Sequence, residues 1–113
     1  RLVYGDVRFL LAADIEALAE ERLVRHGSGL ESEVLKVAHH GSKTSTTAGF
    51  LQRVSPSYAV ISAGAENRYG HPHPQVMARL REQPGLAGIY QTAQQGSIEF
   101  ISDGQRFWVK TQR

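Results

Sequence analysis

Hydrophobic residues near the start of the chain change from a strand-like to a helix-like spacing. Residues 1–14, RLVYGDVRFLLAAD, carry short apolar stretches on either side of a Gly5-Asp6 pair. This pattern predicts two strands joined by a tight turn, and the run at 9–11 is suited to burial on both faces of a sheet. Residues 15–27 place apolar side chains at helical intervals among charges, which predicts an amphipathic helix.

Strand-like and helix-like segments alternate through the middle of the chain. EVLKVA and SYAVISAG are short apolar runs typical of buried strands, and TTAGFLQRVS between them is helical, with Thr46 or Thr47 as its N-cap. Pro74 fits the first turn of the next helix, which covers QVMARLREQ. Three more strands are predicted at the end of the chain, the last two joined at Asp103-Gly104: LAGIYQT, GSIEFIS and RFWVKT.

This alternation predicts an α/β fold in which neighbouring strands are parallel and helices pack on the sheet. Open sheets of this kind bind ligands beyond the carboxyl ends of their strands. Three predicted loops leave that edge, and each carries a side chain of a metal-ligand type: Asp14 in the first, His39-His40 in the second and the histidines of His71-Pro72-His73 in the third. The sequence therefore predicts a functional site where these loops meet.

Composition narrows the possible classes of protein. The chain has 113 residues, a length that suits one domain or part of one, and 41% of them are hydrophobic. Its 13 basic and 11 acidic residues leave a formal net charge of +2, so any contact with nucleic acid has to be local. Phe107 and Trp108 are expected to pack rather than to stack on bases. No cysteine is present, which excludes disulfides and leaves His, Asp or Glu as metal ligands.

The stretch AHHGSKTST is the first candidate for chemistry. Two adjacent side chains on a strand point to opposite faces, so a continuing strand would bury only one histidine of the pair. Gly41 permits a turn, and the hydroxyls, a lysine and free backbone N–H groups near a helix start together suit a phosphate. Histidine also transfers protons near neutral pH. We therefore predict His39 and His40 as catalytic residues and Ser42 and Lys43 as substrate-binding residues.

The other two loops each have a structural interpretation beside the functional one. Asp14 precedes a helix and suits an N-cap, although one carboxylate oxygen can cap while the other binds a metal. The stretch GHPHP begins like the His-x-His-x-Asp-His metal motif, but Pro74 and Gln75 follow where that motif has a variable residue and Asp, so it is not that motif. Prolines also stiffen a loop before a helix. We expect His71 rather than His73 to be the metal ligand. Asn67, in the same polar loop, is a further substrate-binding candidate.

Three stretches resemble a known family. LLAADIE, EVLKVAHHGSKTS and YAVISAGAENRYGHPHP, in this order and spacing, resemble the metallo-β-lactamase-like domain of the ComEC family. Those are bacterial DNA-uptake competence proteins with an integral-membrane channel region. The closing GSIEFISDGQRFWVKTQR is similar to the carboxyl end of that domain, so the resemblance covers nearly the whole chain. Some free-standing hydrolases and a group of choline-phosphate esterases are similar around HHGS.

The resemblance implies an αββα sandwich with two divalent metals, Zn or Mn, at the shared edge of its sheets. By that resemblance Asp14 bridges the metals, His71 binds the second, and His39 reaches the substrate phosphate. The motif that supplies most ligands in the family, His-x-His-x-Asp-His, is absent from this sequence. Residues 1–113 are therefore expected to be one partial domain, the C-terminal half of the fold. The chain also opens without methionine, which favours a piece of a longer protein.

The resemblance further implies a metal-dependent phosphodiesterase or nuclease that acts on DNA, with a single strand as its partner, during uptake. The expected setting is a soluble domain of a bacterial plasma-membrane protein, next to the channel region and the missing N-terminal half. The fragment alone is expected to be inactive, without bound metal and prone to self-association. Two alternatives stay open: a non-catalytic DNA-binding or scaffold domain of the channel, and a hydrolase of small phosphoesters or lactones.

Overall fold

The computed structural model describes residues 2–12, 15–26, 29–42, 45–62 and 72–112. Strands and helices follow in the predicted order, with one short helix, α4, added after the fifth strand. Their bounds are β1 Leu2–Tyr4, β2 Val7–Leu11, α1 Ala17–His26, β3 Val34–Lys36, α2 Ala48–Val54, β4 Tyr58–Ile61, α3 Pro74–Glu82, β5 Gly88–Gln91, α4 Thr92–Gln95, β6 Ile98–Ser102 and β7 Phe107–Thr111.

Five strands form a mixed sheet in the order β1-β2-β3-β4-β5, and β6 pairs with β7 in a separate antiparallel hairpin. The strand β1 is antiparallel to β2, whereas β2 to β5 run parallel. The register sets Leu11 of β2 beside Lys36 of β3, and Lys36 beside Val60 of β4, so these strands end together. The predicted α/β class is confirmed, and the sheet with helices packed on it is mixed, because β1 is antiparallel to β2. The metallo-β-lactamase-like sandwich remains a prediction.

The main core lies between the sheet and helices α2 and α3. Each helix presents three apolar side chains at helical spacing, and inward-facing side chains of β3 and β4 meet them. The buried members are Leu35, Ala59, Ile61, Phe50, Leu51, Val54, Val76, Met77 and Leu80. Burial of each large apolar side chain stabilises the fold by about 1.5–3 kcal/mol. This core holds the two helices that follow the histidine-bearing loops firmly against the sheet.

The hairpin β6–β7 packs on the opposite face of the sheet through aromatic rings. Phe100 lies edge-on to Phe9 with ring centroids 6.0 Å apart, and Phe107 lies edge-on to Tyr58 at 5.4 Å. Because side chains alternate along a strand, Trp108 points away from this cluster and is 52% exposed. The prediction of a packing role is confirmed for Phe107 and is wrong for Trp108.

The apolar run of β2 is buried less than predicted. Leu10 packs against the helical core and Phe9 against the hairpin, but Leu11 is 60% exposed. Leu11 lies at the wall of a cavity of about 250 Å³ between the sheet and the hairpin, which the hairpin does not fill. The prediction of burial on both faces therefore fails at the carboxyl end of this strand.

The first residues of helices α2 and α3 are those that the sequence predicted. Thr47 is the N-cap of α2, with φ −68° and ψ 157°, and its hydroxyl accepts a hydrogen bond from the Phe50 N–H at 3.4 Å. Pro74 opens α3 as predicted, where its missing N–H has no helical partner to lose. No helix within the described ranges is both long and apolar enough to cross a membrane.

Candidate functional site

The three predicted loops leave neighbouring parallel strands at the same edge of the sheet. They follow β2, β3 and β4, which lie side by side in register. Four predicted site residues fall outside the described residues: Asp14, Lys43, Asn67 and His71. For His39 and His40 the backbone is described, whereas their side chains are not. The strand order therefore places the three predicted loops at one edge of the sheet.

The histidine pair lies in a 3-10 turn, Ala38–Gly41, instead of at the end of a strand. Strand β3 ends at Lys36, and the Val37 N–H makes the last bond to the sheet, 2.9 Å from the Val60 carbonyl oxygen. Val37 and Ala38 are both buried, so they hold the turn against the core. The predicted position of the pair beyond the end of this strand is therefore confirmed, and the strand does not continue through the histidines.

Gly41 brings this turn into contact with the loop that carries GHPHP. Its carbonyl oxygen accepts a hydrogen bond from the His73 N–H at 2.8 Å. Its φ is +82°, and a Cβ at this position would lie 2.7 Å from the Pro72 Cβ and 2.9 Å from the Pro72 Cα. Both the backbone angle and the close approach require glycine. The two histidine-containing motifs of the sequence are thus joined in the structure.

His73 has a structural role at the start of α3. It is the N-cap residue, and its Nδ1 accepts a hydrogen bond from the Gln75 N–H at 3.1 Å. A histidine engaged in this way is held by the helix, which supports the choice of His71 as the ligand from this loop. That choice remains a prediction, since His71 lies outside the described part of the chain.

The segment after the histidines folds back onto the segment that follows Asp14. The Ser45 hydroxyl donates a hydrogen bond to the Ile15 carbonyl oxygen, and the Ser45 N–H donates to the Ser42 carbonyl oxygen at 3.2 Å. Ser42 is 5% exposed. The described flanks of all three loops are therefore linked, at Ile15 to Ser45 and at Gly41 to His73. Substrate binding by Ser42 stays a prediction.

Glu20 contacts the loop after the histidines, and the sequence did not indicate this role. Its carboxylate is fully buried and accepts hydrogen bonds from the backbone N–H groups of Thr46, at 2.5 Å, and Thr47, at 2.8 Å. The expectation of free N–H groups at this helix start is therefore wrong for these two residues. Glu20 stands among other charges in the sequence, whereas Leu18, one of the apolar residues of the predicted helix 15–27, is 63% exposed.

Metal binding is not tested by the described residues. Among them, no three His, Asp or Glu side chains come close enough together to hold a metal ion. The predicted ligands, Asp14 and His71, lie outside those residues. Their carboxylate and imidazole groups are common ligands of zinc and manganese, so the donor chemistry of the pair fits such an ion.

Comparison with known proteins adds a set of relatives. No protein-family model and no solved structure matches the chain. It is 38% identical over 96 residues to ComE operon protein 3 of Bacillus subtilis, and 41% identical over 101 residues to Competence protein ComA of Neisseria gonorrhoeae. Recombination protein 2 of Haemophilus influenzae is 37% identical over 99 residues.

The matches cover most of this chain and little of each relative. They include 85%, 88% and 88% of the chain, in the same order, but only 12%, 14% and 12% of the relatives. The chain thus spans about an eighth of the length of the curated relatives that it matches. Over most of its length, it is homologous to a short region of bacterial proteins named for competence and recombination, those of the ComEC family.

Proposed function

We propose that this chain is part of a metal-dependent hydrolase that cleaves phosphodiester bonds of DNA during uptake by competent bacteria. The observation that carries the proposal is the contact of Gly41 with Pro72 and His73, which unites the HHGSK and GHPHP stretches at the carboxyl edge of the sheet. Ligands of α/β sheets bind at such an edge. The name of one relative, Competence protein ComA, supplies the setting.

The proposed fold is the second half of a metallo-β-lactamase-like sandwich. The mixed sheet with helices on one face and a hairpin on the other supports it. On this proposal the first half belongs to a longer protein, in which the channel region within the plasma membrane is a further partner. Homology to a small region of much longer relatives agrees with such a parent.

Asp14 and His71 are the proposed metal ligands. When bound, two zinc or manganese ions would supply an activated water at neutral pH and neutralise charge on the phosphodiester. A catalytic zinc takes about three protein ligands. Asp14 and His71 alone are too few for two ions, so the remaining ligands come from the longer protein. The 113 residues by themselves are then inert as a hydrolase.

The residues after β3 act on the substrate in this proposal. An imidazole of the His39-His40 pair and the ammonium of Lys43 stabilise the negative charge that develops on the phosphate oxygens. The same histidine can donate a proton to the leaving oxygen. Asn67 contributes a polar contact to the substrate from the neighbouring loop. Ser42, which is buried directly after the 3-10 turn, is the other substrate-binding residue in this proposal.

Cleavage of single-stranded DNA by the longer protein, with added Mn²⁺ or Zn²⁺, tests the proposal. We expect cleavage that a chelator abolishes and that a fresh metal ion restores. Binding of DNA that weakens steeply with salt, without any cleavage, would instead favour a DNA-binding or scaffold domain. Turnover of small phosphoesters or lactones, without cleavage of DNA, would favour a small-molecule hydrolase.

The ligand assignment in the GHPHP loop has a matched control. His71→Ala should lower the metal content, whereas His73→Asn should retain it, because asparagine caps a helix as well as histidine does. Elemental analysis of both variants of the longer protein separates them. Loss of metal from His73→Asn with normal content in His71→Ala would reverse the assignment.

A further inference from the structure

A carboxylate of helix α1 binds the backbone at the carboxyl end of the loop that follows the histidine pair. Glu20 lies in α1, 26 residues before Thr46, and none of its side chain is exposed. Both carboxylate oxygens are used, one for the Thr46 N–H and the other for the Thr47 N–H. A carboxylate is favoured at the N-terminus of a helix, and hydrogen bonds to a charged acceptor are stronger than neutral ones.

The backbone that Glu20 binds is strained. Thr46 has a φ of +59°, which is the left-handed region that β-branched residues avoid. Its hydroxyl oxygen is buried and has no hydrogen-bond partner within the described residues. Such a conformation persists only where its surroundings impose it. Arg79 adds one bond, from its Nη1 to the Thr46 carbonyl oxygen at 3.3 Å, but the two short bonds to Glu20 are the closer contacts.

The same loop is fixed at its other end by Gly41, through the bond from His73. We propose that Glu20 is a positioning residue, which holds Thr46 in its strained conformation and so fixes Ser45–Thr47, at the carboxyl end of the loop whose other end, Gly41, contacts Pro72 and His73. Glu20 is too deeply buried to touch a substrate. Its effect on hydrolysis rests on the function proposed above, whereas its effect on the loop does not.

The variant Glu20→Gln in the longer protein tests this directly. Glutamine keeps the volume of the side chain but offers one acceptor oxygen, and its amide N–H groups face the backbone N–H groups of the loop. We expect hydrogen exchange of peptides that cover residues 42–50 to accelerate by at least about tenfold, because one of the two bonds is lost and the other is no longer charge-assisted. Unchanged exchange in this segment would overturn the proposal.

Two further variants separate positioning from a general loss of stability. Glu20→Asp keeps two acceptor oxygens and should restore part of the protection. Val54→Ala, at the opposite end of α2 and fully buried, destabilises the core without touching the loop, and should leave the relative protection of residues 42–50 unchanged. An equal rise in exchange for Val54→Ala and Glu20→Gln at matched stability would overturn the specific role.

Thr46→Gly tests whether Glu20 acts through the strained backbone, in a comparison of Glu20→Gln with the Glu20→Gln/Thr46→Gly double variant. Where Glu20→Gln alone does not fold, a folded double variant supports this coupling and an unfolded one contradicts it. Glycine adopts a φ of +59° without strain, so the double variant should fold and lose less protection than Glu20→Gln relative to its own parent. Equal effects of Glu20→Gln with and without Thr46→Gly would contradict the coupling.

Cleavage of DNA and hydrogen exchange of the loop report on two separate effects of Glu20. In a protein that cleaves DNA, Glu20→Gln should lower kcat with little change in KM or metal content. Absence of cleavage by the wild-type protein would refute the proposed function, and the exchange data would still decide the role of Glu20.

Discussion

Gly41 occupies the point where the two histidine-bearing loops touch, and it meets two requirements at once. Its φ of +82° lies in the left-handed region, and Pro72 leaves no room for a Cβ. The sequence indicated a turn at this glycine. It could not indicate the contact with Pro72, because the two residues are distant in the sequence and meet only when β3 and β4 pair.

The variant Gly41→Ala should separate the two loops and lower the free energy of unfolding. The left-handed conformation alone costs a non-glycine residue roughly 1–2 kcal/mol, and the clash with backbone atoms of Pro72 adds to it. Gly49→Ala is the control, since nothing lies within 4 Å of a Cβ there and alanine favours the helix, by about 0.5–1 kcal/mol. Urea denaturation measures both. A Gly41→Ala variant as stable as wild type would contradict the contact.

Asp103 gives the hairpin turn a dependence on pH. Its Oδ1 accepts hydrogen bonds from the backbone N–H groups of Arg106, at 2.8 Å, and Gln105, at 2.9 Å, and these bonds lower the pKa of the carboxyl group. A lowered folded-state pKa means that the stabilisation is present above the unfolded-state pKa of about 3.9 and is lost as the pH falls through the folded value.

Asp103→Asn should therefore remove part of the acid sensitivity of the fold. Asparagine keeps an acceptor oxygen but does not ionise between pH 2 and 6. We expect the urea midpoint of the wild type to fall more steeply than that of the variant as the pH decreases below about 4. Parallel curves for the two proteins would show that the turn makes no such contribution.

Among the secondary-structure elements, local signals predicted more than tertiary contacts did. The order of strands and helices, the cap at Thr47 and the opening of α3 at Pro74 all depend on residues close in sequence, and these predictions are confirmed. The buried face of α1 was mispredicted, because Glu20 is buried by partners 26 and 27 residues away. The short helix α4 was not predicted, because its N-cap residue is Gln91, which makes no side-chain capping bond.

The hairpin β6–β7 depends on its aromatic contacts with the sheet. Phe100 contacts the rings of Phe9, Tyr90 and Phe107, with centroids 6.0–6.2 Å apart. Phe100→Ala removes all three contacts and should destabilise the fold by roughly 2–4 kcal/mol, toward the lower values for core phenylalanines because the ring is only half-buried.

Trp108→Ala is the matched control on the other face of the hairpin, where 52% of the side chain is exposed. It should cost under about 1 kcal/mol. Urea denaturation and limited proteolysis of the hairpin compare the two variants. Equal losses of stability would mean that the hairpin is not held by the aromatic cluster.

For the whole molecule, the sequence predicted three loops at one edge of a parallel sheet, and the structure confirms that arrangement of β2, β3 and β4. Two links join the described flanks of the three loops, from Ser45 to Ile15 and from His73 to Gly41. In the proposed function, residues of a longer protein complete the site, because Asp14 and His71, the proposed ligands, are fewer than two metals need. Exposed apolar side chains such as Leu2 and Leu11 also favour self-association of the isolated chain.

Metal content and cleavage of single-stranded DNA, measured together in the longer protein for Asp14→Ala and His39→Ala, test the proposed metal-dependent hydrolysis most directly. Asp14→Ala should lose both the metal and the cleavage, because Asp14 is a proposed metal ligand. His39→Ala should lose the cleavage and keep the metal, because His39 is proposed to act on the phosphate. Equal loss of metal in the two variants would make His39 a ligand, and wild-type cleavage rates in Asp14→Ala would refute the metal-dependent mechanism.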